Sequence, residues 1–392
     1  MNTNTMNTNQ NTERTLPLEG VRVIEFSHMV MGPTCGMILA DLGAEVIKIE
    51  PPSGDKTRKM SGVGMGFFRT FNRNKKSVVL DINMPEGLAT AKELIGQCDV
   101  MLENFRPGLM AKLGLDYETL SQAFPGLIYV SHKGFLPGPY ENRLALDEVV
   151  QMMGGLSYMT GPPGRPLRAG ASVNDIMGGM FGAIGVLAAL WERRSSGRGQ
   201  EVQSALFENC AFLVASHMQQ AAMSGEAPPP MPARSSPWSV YDVFNLADGQ
   251  QLFIAAVSDK QWNLLCKVLE RQDLLDDPAL QTNDQRVAIR PAVLARLGQI
   301  LQHHNIDALS AKLEAAGLPY APIARPDQLL HDPHLKASGG LVTMQTDDGG
   351  STDVVLLPML MGGRRLGIQR PLPGIGEHTA EVLAQLVKSR TA

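Results

Sequence analysis

Short apolar strands separated by helix-length segments constrain this chain more than any other feature. Val21–Phe26 and Ala44–Glu50 read as strands, with a helix over Thr34–Leu42 between them, so the chain opens on a βαβ unit. Ser77–Ile82 reads as a third strand. A helix follows from Pro85, a residue favoured in the first helical turn, to about Gln97. Asp99–Glu103 and Leu127–Ser131 are further strands. The alternation predicts an α/β fold with a doubly wound parallel sheet. Ser27-His28-Met29-Val30-Met31-Gly32-Pro33 follows the first strand and lacks the GxGxxG fingerprint, which argues against a nicotinamide or flavin enzyme.

The 392 residues exceed one ordinary core, so two domains, or one large domain with an insertion, are expected. From Ser224 to Pro237 the composition turns to Gly, Pro, Ala and Ser, which marks a linker or loop. Beyond it lies a hairpin pattern, Val240–Asn245 and Gln251–Val257, with Asp248-Gly249 at the turn. The plan is a disordered tail over 1–16, a large domain over 17–224 and a linker over 225–237. A smaller α+β domain then spans 238–330, and 331–392 returns to the large domain. The tail has no apolar core and a single Arg14, so it is neither a signal nor a transit peptide.

A hydrophobic share of 44% with 19% charged residues fits a soluble globular protein, and a net charge of −4 gives no reason to expect nucleic acid or an acidic membrane. The apolar run 176–190 is short and carries four glycines, so no bilayer span is expected. Cys35, Cys98, Cys210 and Cys266 lie far apart, as reduced thiols of a cytoplasmic protein do. Neither they nor His303-His304 and His331/His334 show metal-ligand spacing, so no metal is expected.

Arg168-Ala-Gly-Ala-Ser-Val-Asn-Asp175 runs directly into that glycine-laced apolar segment. Asp175 at a helix start could cap the free amides of the first turn. The helix dipole and those amides would also keep it ionised, and a positioned carboxylate can attack an activated acyl group. On the junction alone both roles stay open.

Several patterns recur in order: Leu18-Glu-Gly-Val-Arg-Val-Ile-Glu25, Asp41-Leu-Gly-Ala-Glu-Val-Ile-Lys-Ile-Glu50, Ser53-Gly-Asp-Lys-Thr-Arg58 and Asn72-Arg-Asn-Lys-Lys-Ser77. They continue with Glu103-Asn-Phe-Arg-Pro-Gly108, Lys133-Gly-Phe135, Asn174-Asp175, Ser196-Gly-Arg-Gly-Gln200 and Gly376-Glu-His-Thr379. As a series they resemble the family III CoA-transferases of the CaiB–BaiF type, over nearly all of residues 17–385. The resemblance implies a Rossmann-like domain built from both chain ends, a small domain and an interlocked homodimer. It also implies CoA transfer between an acyl-CoA and a carboxylic acid, with no cofactor beyond the CoA thioester substrate.

By the same resemblance Asp175 matches the nucleophile, which would pass through an aspartyl anhydride and an aspartyl-CoA thioester. Asp147 falls where oxalate-type members carry an acid near it. A neighbouring carboxylate would raise the pKa of one partner, although a surface acid opening the helix Asp147–Gly154 is an equal reading. His28, Met29, Val30, Leu80, Asn104, Phe105, Lys112 and Lys133 match CoA contacts, and Phe105 is the candidate to pack on adenine. Lys75 and Lys76 read more simply as a solvated turn.

Val30, Phe67 and Leu146 stand where oxalate-specific members carry an amide and two tyrosines, which favours an acid with a carbon chain. Arg69 follows Phe67 by two residues. In an extended segment both side chains would share a face, and Arg69 could hold the distal carboxylate of a short dicarboxylate such as succinate or a methylated relative. The alternatives are an α-methylacyl-CoA racemase and a non-catalytic CoA-binding protein. Racemases of this resemblance place a histidine base where this chain has Leu146, which cannot exchange a proton.

Overall fold

The computed structural model describes residues 15–234 and 236–391, so most of the expected tail lies outside the described residues. The chain divides into two compact units, one formed by Met1–Pro232 with Pro333–Ala392, the other by Ala233–Asp332.

Six strands build the sheet of the larger unit: β1 (Arg22–Phe26), β2 (Glu45–Glu50), β3 (Lys75–Val79), β4 (Val100–Glu103), β5 (Ile128–Lys133) and β6 (Glu201–Ala205). Their order is β3-β2-β1-β4-β5-β6, all neighbours parallel. Ile24 pairs with Ile47 on one side and Met101 on the other. Strands alternate their side chains between faces, and here both faces are apolar. Val23, Val46, Val100, Leu102, Ile128 and Val130 enter one core. Ile24, Phe26, Ile47, Met101 and Tyr129 enter the other.

The helices of this unit include α1 (Met31–Asp41), α2 (Phe67–Phe71), α3 (Pro85–Ile95), α4 (Leu109–Leu113), α5 (Tyr117–Ala123), α6 (Asp147–Met153), α7 (Leu156–Thr160) and α8 (Val173–Ser196). α1 and α8 cover the first face, while α3, α5 and the terminal helix Thr379–Thr391 cover the second. The sheet is therefore doubly wound. The C-terminal segment joins this unit without adding a strand to the six-stranded sheet, its own strands forming two separate two-stranded antiparallel sheets. Ser77 N–H donates to His378 Nδ1 at 3.3 Å, and Val79 N–H to Thr379 Oγ1 at 3.0 Å.

β3 begins two residues earlier than the sequence suggests, and that changes the reading of the lysine pair. Lys75 and Lys76 sit inside the strand and are buried, not in a solvated turn. Lys75 Nζ reaches Glu25 Oε2 at 2.8 Å, and Lys76 pairs with Glu45 and Glu381.

α8 is also longer than the apolar run suggests. Its 24 residues are long and apolar enough, by length and composition alone, to cross a membrane. Its small-residue face is packed inside the unit instead. A Cβ on Gly179 would stand 2.6 Å from the Met31 carbonyl oxygen, and one on Gly182 would stand 2.5 Å from His132 Nε2. Glycine is required there so that α8 can lie directly on α1 and β5.

The smaller unit packs helices on an antiparallel sheet of β7 (Val240–Asn245), β8 (Gln251–Ala256) and β9 (Tyr320–Pro322). Gly249, at φ +75°, closes the turn between β7 and β8. Trp262, Leu265, Leu297 and Leu313 fill its core, with the Arg286 guanidinium 4.9 Å from the Trp262 ring centre.

Candidate active site

In a parallel sheet the connecting helix runs back against the strands, so its first turn lies at the edge where strand C-termini emerge. α8 makes that return between β5 and β6. Asp175 in its first turn therefore shares a sheet edge with His28 and Asn104, on the segments that leave β1 and β4, and with Lys133 at the end of β5.

The segment after β1 is held from both sides. His28 N–H donates to Asn104 Oδ1 at 3.0 Å, and Asn104 Nδ2 returns a bond to His28 O at 2.8 Å. Met29, at φ +65°, donates its N–H to Thr57 Oγ1 at 3.0 Å. Lys48 Nζ, fully buried, donates to Ser27 O at 2.6 Å and pairs with Glu25 and Asp55. His28 and Phe105 stack with ring centres 5.5 Å apart and planes 26° from parallel. Burial pushes the His28 pKa down, so its imidazole is neutral at physiological pH and suits an aromatic contact better than a cationic one.

The other expected CoA contacts are placed unevenly. Lys133 is half-buried at the last position of β5. Lys112 is exposed on α4. Val30 and Leu80 are buried, and each belongs to one of the two cores. At those two positions only the backbone is free to serve a ligand.

Asp147 opens α6 and is buried, so it is not a surface acid. Its Oδ2 accepts the backbone amides of Asn174 at 2.8 Å and Asp175 at 3.2 Å. The cap of α8 therefore comes from Asp147, and the capping role the sequence offered to Asp175 belongs to a residue on another helix. Asp175 occupies the third position of α8, partly buried, with its carboxylate outside that cap.

The expectation that the helix start keeps Asp175 ionised is also overturned. Its pKa is raised to about 7, first by burial and then by the charge of Asp147, against the opposing pull of Arg168. The amides that would have held it ionised are spent on Asp147. A carboxyl balanced near neutrality gives up its proton readily and is a stronger base and nucleophile than an ordinary aspartate.

Two residues to which the sequence assigned no role complete the arrangement, Gln151 outside the quoted motifs and Thr57 inside one of them. Gln151, one turn along α6 and fully buried, donates Nε2 to Asp147 and accepts the Ala169 amide on Oε1 at 2.8 Å. Thr57 holds Met29 in its left-handed conformation. The i, i+4 spacing of Asp147 and Gln151 was the only signal in the sequence that could have tied Gln151 to the site.

The acceptor-side residues are more scattered. Leu146 is 69% exposed. Phe67 is half-buried and packs against the first core. Phe67–Phe71 is helical, so residues two apart diverge and Arg69 does not share a face with Phe67. Arg69 pairs with Asp348 at 2.8 Å, both side chains largely in solvent. Among the described residues no group of three His, Cys, Asp or Glu side chains is arranged to hold a metal ion.

Residues 18–379 match the family model described as CoA-transferase family III. The succinate–glutarate CoA-transferase of Agrobacterium fabrum is 36% identical, with 94% of this chain and 96% of that protein covered. The succinyl-CoA–D-citramalate CoA-transferase of Chloroflexus aurantiacus is 31% identical over 95% and 94% of the two chains. The crystal structure of a CaiB/BaiF family protein from Brucella suis superposes with a TM-score of 0.88 at 33% identity, covering 95% of this chain and all of that one.

Proposed function

Because this chain belongs to CoA-transferase family III, we propose that it moves CoA from an acyl-CoA to a short dicarboxylic acid of the succinate or glutarate kind. The single observation that carries the reading is Asp175: a partly exposed carboxyl at the sheet edge, poised near neutrality by burial and by Asp147. The dicarboxylate follows from the names of the relatives, which act on succinate, glutarate or citramalate.

In the proposed relay the Asp175 carboxylate attacks the donor thioester carbonyl. The C–S bond breaks, CoA leaves as thiolate, and an aspartyl–acyl anhydride remains. The thiolate attacks the aspartyl carbonyl, releasing the donor acid and leaving CoA as a thioester on Asp175. The acceptor carboxylate then displaces CoA from that carbonyl, and the thiolate attacks the acceptor acyl group of the new anhydride. Asp175 returns as carboxylate, with no proton or electron left over. Asp147 caps α8 and supplies the charge beside it. His28, Met29, Asn104, Phe105, Lys112 and Lys133 line the CoA side, with Val30 and Leu80 serving through backbone.

The working form is an interlocked homodimer. Met180, Ile184, Leu187 and Trp191 form an exposed apolar stripe along α8, and Ala215–Ser224 is a helix with no buried residue. Apolar surface of that extent fits a partner chain. The four cysteines are free, which fits the reducing cytoplasm.

The test is a mass-spectrometric screen of acyl-CoA donors against mono- and dicarboxylic acids. Exchange of CoA onto a short diacid is expected. Incorporation of α-deuterium without exchange would replace this reading by a racemase, and binding with neither by a non-catalytic CoA protein.

A further inference from the structure

Asp175 meets two opposing charges, the acid Asp147 and the base Arg168. Gln151 is the side chain that ties them together. Its Nε2 donates to Asp147 Oδ1, while its Oε1 accepts the Ala169 amide at 2.8 Å. Arg168 folds over the same peptide segment, donating Nε to Ala169 O at 3.0 Å and pairing its other end with Glu148. With Gln151 included, Asp147 accepts from a side-chain amide and two backbone amides. Three donors converging on one carboxyl fix its orientation against the first turn of α8. Gln151 itself is fully buried, where an amide is tolerated only with both its ends paired, and both are.

We propose that Gln151 is a positioning residue for the nucleophile: its amide holds the Asp147 carboxyl against the first turn of α8 and fixes the Arg168 loop beside it. The proposal rests on the reading of Asp175 as the reacting group. The charged and titratable groups around Asp175 come from three directions. α6 presents Asp147 and Glu148, and the approach loop presents Arg168. The helix Leu206–Leu213 presents Cys210, whose thiol is pushed up by burial and stays neutral. His132 of β5 lies further along α8, against Gly182.

Two near-isosteric variants separate this role from simple packing. Gln151→Met keeps the volume but removes the donor. The Asp147 carboxyl is then free to turn away from α8, and the charge that helps to raise the Asp175 pKa moves off with it. The pH midpoint for Asp175 ionisation should fall by about one unit, giving a roughly tenfold larger ionised fraction on the acid side. Gln151→Glu places a carboxyl there that either shares its own proton with Asp147 or adds a second negative charge. Its midpoint should be equal to or above that of the wild type.

The midpoint is read in two ways: from the acid limb of CoA exchange, and from carbodiimide labelling of Asp175 followed by peptide mass spectrometry, since only the protonated carboxyl reacts. A fall for Gln151→Met without a fall for Gln151→Glu supports the proposal. An unchanged midpoint in Gln151→Met, or a fall in both variants, overturns it. Labelling does not need turnover. A wild type that titrates at Asp175 yet exchanges CoA with no acid would sink the transferase reading and still leave the role of Gln151 decided.

Discussion

Asp147 Oδ2 accepts the Asp175 amide at 3.2 Å, so the acid that caps the helix is also the charge that raises the pKa of the residue it caps. A backbone hydrogen bond fixes the separation of two carboxylates whose repulsion would otherwise drive them apart. Tuning of Asp175 is therefore tied to folding of α8 and not to side-chain rotamers alone.

Asp175→Ala should abolish CoA exchange while the melting temperature and CoA affinity stay close to the wild type. Borohydride or hydroxylamine should trap an activated acyl group on Asp175 of the wild type after incubation with acyl-CoA. Near-normal turnover in the alanine variant would rule out the relay.

With the Asp175 pKa raised from 3.8 to about 7, the folded chain holds a proton between those values that the unfolded chain gives up. Stability from this group is complete below the unfolded value and is lost as pH rises through the folded one. Asp175→Asn should therefore gain melting temperature over the wild type at about pH 8 and little at about pH 4. Exchange by the wild type should rise over the same interval, as the nucleophilic carboxylate forms. A flat stability difference from acid to alkaline pH would contradict the raised pKa.

Asp147→Asn and Asp147→Ala should part company. The amide keeps an acceptor for Asn174 and Asp175 but loses the charge and turns an N–H donor toward Gln151 Nε2, so the acid limb of exchange moves to lower pH and stability falls less than with alanine. Alanine also leaves the two amides without their partner and should cost about 1–2 kcal/mol in denaturant unfolding. Equal stability of the two variants would show that water replaces the cap.

Arg69→Ala addresses the acceptor. A solvent-exposed pair such as Arg69–Asp348 contributes about 0–1 kcal/mol, and its helical setting turns Arg69 off the face of Phe67. The ratio of KM for a diacid to KM for a monoacid of equal length should change by less than about threefold, within the range of such a pair. A diacid-specific rise of tenfold or more, equivalent to about 1.4 kcal/mol, would show that Arg69 leaves Asp348 for the substrate.

Light scattering should return twice the chain mass of 42.4 kDa at micromolar concentration. Trp191→Glu, in the exposed stripe of α8, should lower the dimer fraction. A monomeric wild type would contradict the assembly.

Strand–helix alternation determined the α/β class, because strand-length apolar runs separated by helix-length segments can bury both faces of the sheet only when the helices cross back over it. The motif series made the superfamily and Asp175 legible, since those residues lie in short local patterns. Only the tertiary structure could show that Lys75 and Lys76 are buried, because what surrounds them, Glu25, Glu45 and Glu381, is distant in the chain. The same reason decides the site. Asp147 and Gln151 come from α6, Ala169 from a loop and Asp175 from α8, and their hydrogen bonds and mutual repulsion exist only once α6 and α8 pack. The sequence determined which carboxylate stands at the helix start; folding decided which one caps that helix and which one keeps its proton.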